Sequence, residues 1–147
     1  MTAVLSAVLG SEKQLGIKIK KAKEVDNLIR KGIPFKVVED IKERLKLADE
    51  EIAEILGMSV RTLSRRRHIK DKEDARLNAI ESDRLFRLVK IFALAQDVLE
   101  DKEQAIKWLH SRQFGLGKRI PLEVIQTEVG AREAEDLLMR IEHGVYS

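Results

Sequence analysis

The stretch Leu47–Lys70, LADEEIAEILGMSVRTLSRRRHIK, constrains this chain more than any other part of it. Ile52, Ala53 and Leu56 follow the i, i+1, i+4 spacing of one buried helical face, which predicts a helix over Asp49–Leu56. Gly57 comes next, the residue type that best tolerates the left-handed backbone ending a helix. Ser59 is an N-cap candidate, because its hydroxyl can accept from the free N–H groups of a first turn. A second helix then spans Val60–Arg67, with Leu63 turned toward Ile52 and Leu56, and small Ala53 allowing a close crossing. Two short helices, a tight turn and basic residues only on the second helix form the helix-turn-helix pattern, in which that helix enters the DNA major groove. The candidate DNA-binding residues are Ser59, Arg61, Thr62, Ser64, Arg65, Arg66 and Arg67. The competing reading is an ordinary helical hairpin with a solvated arginine face. Arginines clustered where a recognition helix needs them favour the first.

Charge is spread to match. Residues 1–70 hold 16 Lys+Arg against 10 Asp+Glu, and residues 71–147 hold 12 against 15. A basic half attracts phosphate and a mildly acidic half does not, so the division suggests two surfaces with two partners. Apolar residues make up 44% of the chain, enough for a core. Two prolines and frequent Leu, Ile, Glu, Lys and Arg favour an all-α fold. No apolar run approaches the roughly 20 residues of a membrane span. The segment MTAVLSAVLG lacks a basic leading region and is not read as a signal peptide. The absence of cysteine excludes disulfides, thiolate metal sites and cysteine nucleophiles, and fits a reducing cytosol, so a cytoplasmic location is expected.

Three regions are expected: an N-terminal segment 1–32 with a role in dimerisation, a helix-turn-helix domain 33–77, and a small helical domain 78–147. In the first, Leu15, Ile17 and Ile19 alternate with Gly16, Lys18 and Lys20. Two readings stand there: a short N-terminal strand covered by the same strand of a second protomer, or a frayed tail with accidental alternation. Ala22–Lys31 reads as a helix stopped by Gly32. Phe35, Val38, Ile41 and Leu45 predict another from about 34 to 46, with Pro34 in its first turn. After a polar connection, Asn78 and Glu81 form a capping box for a long helix striped by Leu85, Leu88, Val89, Phe92, Ala95 and Leu99. Asp101 caps a helix reaching about Ser111, Pro121 opens a short one through Gln126, and Thr127 caps a last one reaching about Glu142. On its outer face Arg132–Asp136 and Asp136–Arg140 are spaced as i,i+4 ion pairs. Gly144 stands just past that helix. The following Val145-Tyr146-Ser147 either extends outward by roughly 10 Å or folds back on its own domain.

Little here suggests catalysis. His68, His110 and His143 are widely separated, with no metal-ligand spacing, and no nucleophile elbow or dinucleotide fingerprint occurs. Gly115-Leu116-Gly117-Lys118 lacks the full spacing of a phosphate loop and follows no strand. No catalytic residue, metal or cofactor is expected.

A longer likeness reaches further. Gly32-Ile33-Pro34, RTLSRRR (61–67), ESDRLFRLVKIFALA (81–95) and above all PLEVIQTEVGAREAEDLLMRIEHGVYS (121–147) carry it. Through them the chain resembles the antitoxins of the Xre/MbcA/ParS-like group, partners of RES-domain toxins in type II toxin–antitoxin pairs. The resemblance implies a helix-turn-helix domain that binds operator DNA and represses its own operon, as a homodimer or a higher assembly with toxin. It also implies a C-terminal domain that inhibits a NAD-degrading RES toxin. The toxin-binding residues it implies are Arg140, Glu142, His143, Gly144, Val145, Tyr146 and Ser147. Two positions depart from the family pattern: Lys118 replaces the second glycine of a Leu-Gly-Gly loop, and Met139 stands where glycine is common. The alternative is a stand-alone helix-turn-helix transcription regulator with a ligand- or protein-sensing C-terminal domain.

Overall fold

The computed structural model describes residues 22–69 and 75–144. Among these residues are eight α-helices, one short 3-10 turn and two isolated β-bridges, with no sheet, as an all-α reading requires. The expected strand at residues 15–19 and the tail Val145–Ser147 lie outside the described residues. The chain divides into two compact units, one ending at Val89 and the other beginning at Lys90.

The first unit holds α1 (Ala22–Lys31), α2 (Phe35–Arg44), α3 (Asp49–Leu56), α4 (Val60–Arg67) and the beginning of α5 (Ala79–Leu99). Gly32 ends α1 at φ +101°, and a Cβ there would collide with the Leu77 carbonyl. Such close approach arises because the chain returns. Phe35 N–H donates to the Ala75 carbonyl at 2.8 Å and Leu77 N–H to the Ile33 carbonyl at 2.9 Å. Buried Ser82 in α5 accepts from the Ile33 N–H at 2.9 Å, which satisfies a donor with no other route to water. Pro34 is the cap of α2 rather than its first residue, and the helix ends at Arg44, inside the expected limits. Phe35, Val38, Ile41 and Leu45 are buried as their spacing requires, together with Ile52, Ala53, Leu56 and Leu63. The α4 helix packs on both α2 and α3.

The second unit holds the rest of α5, then α6 (Lys102–His110), the 3-10 turn Phe114–Leu116, α7 (Pro121–Val124) and α8 (Glu128–Glu142). Asp101 caps α6 by accepting from Glu103 N–H at 3.0 Å, and Thr127 caps α8 by accepting from Gly130 N–H at 3.0 Å. The α7 helix stops at Val124, two residues short of the expected end, and Ile125 and Gln126 turn the chain into α8. Gly130 makes that sharp join possible, since a Cβ on it would collide with the Val124 carbonyl. Arg132 reaches back to Glu128 at 2.9 Å, where the sequence spacing points forward to Asp136. Trp108, Leu109, Leu116, Leu122, Ala134, Leu137 and Leu138 fill this core.

Candidate functional site

The turn between α3 and α4 is built locally. Gly57 adopts φ +79°, and the N–H groups of Gly57 and Met58 both return to the Ala53 carbonyl, at 2.9 and 3.0 Å. Ser59 then starts α4, its hydroxyl accepting from Thr62 N–H at 3.0 Å and donating to Thr62 Oγ1 at 3.0 Å. A cap of this kind contributes about 1 kcal/mol. Leu63 is fully buried, which fixes the rotation of the helix. Arg61 and Arg65, four residues apart, share the opposite face and are exposed. Among the described residues neither has an ion-pair partner. Ser64 and Thr62 flank them, half-buried.

Arg66 and Arg67, expected among the DNA-binding residues, have acceptors within their own unit. Arg66 donates to both carboxylate oxygens of Glu81, at 3.0 and 2.9 Å, and to the Arg76 carbonyl at 2.9 Å, with its guanidinium 5.5 Å from the centre of the Phe35 ring. Arg67 donates to Glu39 at 2.8 Å and to Asp49 at 2.8 and 3.3 Å, and Lys42 joins the same Asp49 at 2.7 Å. The Arg67 guanidinium and then the Lys42 ammonium, both bonded to Asp49, hold its carboxyl down from 3.8 to about 2. Asp49 and Glu39 in turn push the Arg67 guanidinium further above its ordinary range. Two of the four arginines of α4 therefore fasten the helix to its own domain. The reason is rotational: at 100° per residue, Arg66 and Arg67 fall on either side of buried Leu63.

The second unit ends in a polar helix terminus. Arg140, Glu142, His143 and Gly144 are all exposed there. His143 is the C-cap, and Gly144 follows at φ +75° with its N–H on the Ile141 carbonyl at 3.1 Å. Elsewhere in this unit, Gln113 N–H donates to the Arg119 carbonyl at 3.1 Å and closes a tight loop around the 3-10 turn. Among the described residues no helix is long and apolar enough to cross a membrane, and no group of three His, Cys, Asp or Glu is placed to hold a metal ion.

Known proteins resolve the same two parts. A model of the Antitoxin Xre-like helix-turn-helix domain matches residues 24–90, and one of the Antitoxin Xre/MbcA/ParS C-terminal toxin-binding domain matches residues 94–144. An Antitoxin Xre of Yersinia enterocolitica is 33% identical over 136 residues, covering 92% of this chain and 89% of its own. The chain belongs to the Xre antitoxin family. An Antitoxin Xre of Photorhabdus laumondii is 33% identical over 121 residues (82% of this chain, 79% of the relative). One of Pseudomonas putida is 29% identical over 121 residues (82% and 72%). This antitoxin is thus a type II antitoxin with a helix-turn-helix domain and a toxin-binding domain, in a family that is not one of enzymes.

Three features of the antitoxin escape sequence reasoning. Lys118, at φ +64°, directly follows Gly117 at φ +66°, so the lysine adopts the left-handed backbone that a second glycine would take freely. That conformation costs a lysine about 1 kcal/mol, and the loop bond from Lys118 N–H to the Gln113 carbonyl, 2.9 Å, offsets it. Arg119 pairs with Glu133 of α8, holding the loop to the helix across a separation that no periodic pattern marks. Val60, the first residue of α4, stays 39% exposed despite its apolar side chain. An apolar residue opening an otherwise basic helix was its only signal in the sequence.

Proposed function

We propose that this antitoxin represses its own operon through α4 and neutralises a RES-domain, NAD-degrading toxin by covering its active-site entrance. The observation that carries the DNA half is the split among the arginines: Arg61 and Arg65 are exposed without ion-pair partners among the described residues, whereas Arg66 and Arg67 are held by carboxylates. Base and phosphate contact then falls to Arg61, Thr62 and Arg65, with Ser59 and Ser64 at the edges of the same face. Arg66 and Arg67 hold that face in place. An exposed arginine can take guanine bidentately or neutralise a phosphate, and an arginine already forked onto a carboxylate does neither without losing that pair.

For the toxin half, the exposed end of α8 supports a contact through Arg140, Glu142, His143 and Gly144, continued by Val145, Tyr146 and Ser147. The RES assignment itself rests on the likeness of RIEHGVYS to the antitoxins of that group. A cytoplasmic homodimer that joins toxin in a larger assembly completes the reading.

Co-expression with the neighbouring open reading frame tests it, scoring growth and cellular NAD. The neighbour alone should arrest growth and deplete NAD, and the antitoxin should restore both. Growth arrest without NAD loss would refute the RES assignment. Deleting Val145–Ser147 should abolish protection while operator binding persists, and protection by the truncated chain would remove the tail from the inhibitory surface.

A further inference from the structure

The α4 helix carries one apolar side chain that its own fold leaves partly exposed. Val60 is 39% exposed at the first helical position, immediately after the Ser59 cap. Single exposed apolar residues are ordinary on protein surfaces, so exposure alone carries nothing. Position and neighbours do. A β-branched residue is a poor helix former where packing does not repay it. At 100° per residue, Val60 and Ser64 form one flank of the Arg61–Arg65 face and Thr62 forms the other. The first turn of a recognition helix is the part that meets base edges.

The hydroxyl that precedes Val60 in the chain is already committed. The Ser59 hydroxyl proton goes to Thr62 Oγ1, and the same Ser59 oxygen accepts from the Thr62 N–H. Valine itself can neither donate nor accept. Of the groups that the base pairs present in the major groove, only the thymine C5-methyl is apolar. We propose that Val60 is a specificity residue that packs on the C5-methyl of a thymine in the operator, next to the bases reached by Arg61. It does so by excluding water from two apolar surfaces, and it disfavours the other bases, which would place a polar edge against its methyl groups. The proposal rests on α4 being the recognition helix.

The test uses the full chain and duplexes of its operator in which each thymine of the footprint is replaced singly by deoxyuridine, which deletes only the methyl. At one thymine per half-site the wild-type chain should lose affinity by about fourfold, the amount one buried methyl group carries. Val60→Ala should bind the unmodified operator more weakly by a similar factor and become indifferent to deoxyuridine at that position. Val60→Thr, which keeps one γ-methyl, should retain part of the sensitivity. Alanine favours helix more than valine, so loss of fold does not obscure the comparison. If deoxyuridine weakens wild type and Val60→Ala equally at every position, or weakens neither, Val60 does not read a methyl. Absence of any specific binding by the wild-type chain would overturn the recognition-helix reading as well, which separates the two failures.

Discussion

Arg66 and Glu81, fifteen residues apart in the chain, meet with one guanidinium nitrogen 3.0 and 2.9 Å from the two carboxylate oxygens. The same carboxylate accepts from Asn78 N–H at 2.9 Å, while Asn78 Oδ1 accepts from Glu81 N–H at 2.7 Å. One side chain therefore both caps α5 and fastens α4. The pair is well shielded, with Arg66 20% and Glu81 13% exposed, so its loss strands a charge rather than freeing it.

Replacing Glu81 should for this reason cost more than a surface ion pair. Glu81→Ala removes both the cap acceptor and the partner of Arg66, and should destabilise the first unit by about 2–3 kcal/mol. Glu81→Gln keeps a cap acceptor and should cost about 1 kcal/mol. Urea unfolding followed by helical circular dichroism measures both. A Glu81→Gln variant as stable as wild type would show that the charge of Glu81 contributes nothing.

The arginines of α4 should separate by salt dependence. Arg61→Ala and Arg65→Ala should each lower the slope of log affinity against log salt by about 1, as expected when one phosphate contact is lost. Arg67→Ala should leave that slope unchanged while lowering the unfolding midpoint. An unchanged slope in the first two variants would exclude phosphate contacts by Arg61 and Arg65.

Acid should weaken the first unit through Asp49. Its folded carboxyl titrates at about 2 against 3.8 when free, so folding favours the ionised form. The stabilisation is fully present above about pH 4 and is lost as pH falls toward 2. In wild type the urea midpoint should drop across that window, and in Asp49→Asn the drop should be smaller. Matching curves would mean that the Arg67 and Lys42 contacts with Asp49 carry no net stabilisation.

Gly130→Ala should loosen the second unit. The added methyl would run into the Val124 carbonyl, forcing α7 from α8 at a cost of about 3 kcal/mol. The chain has one tryptophan, Trp108, buried in this unit, so its fluorescence reports the transition directly. Operator binding should survive. A wild-type midpoint would mean that the α7–α8 turn relaxes without penalty.

Much of this fold was legible residue by residue, because its signals are local. Ile52, Ala53 and Leu56, Gly57, and Ser59 mark the ends and inner faces of α3 and α4, and both helices span the residues that the pattern predicts. Asn78 and Glu81 marked α5 in the same way. What escaped depends on tertiary position. Nothing near Arg67 shows that Glu39, twenty-eight residues earlier, will lie beside it. Nor does the sequence show that Ala75–Leu77 folds back against Ile33–Phe35, since backbone bonds between distant segments leave no side-chain period. Arg132 had acceptors one turn away in both directions, and choosing Glu128 over Asp136 is a matter of rotamer. On α4, composition revealed the arginines together but could not say which of them the fold ties to carboxylates.

The bond between Ser82 and Ile33 also orders events in time. It joins residues forty-nine apart, and Arg66 waits for Glu81 in the same way. A nascent chain that has produced all of α3 and α4 still lacks the two side chains that fasten Ile33 and α4. The helix-turn-helix unit of this antitoxin is therefore finished only after the ribosome has moved on into α5. A fragment cut at His68 should form the helical hairpin and yet fail as a stable DNA-binding domain.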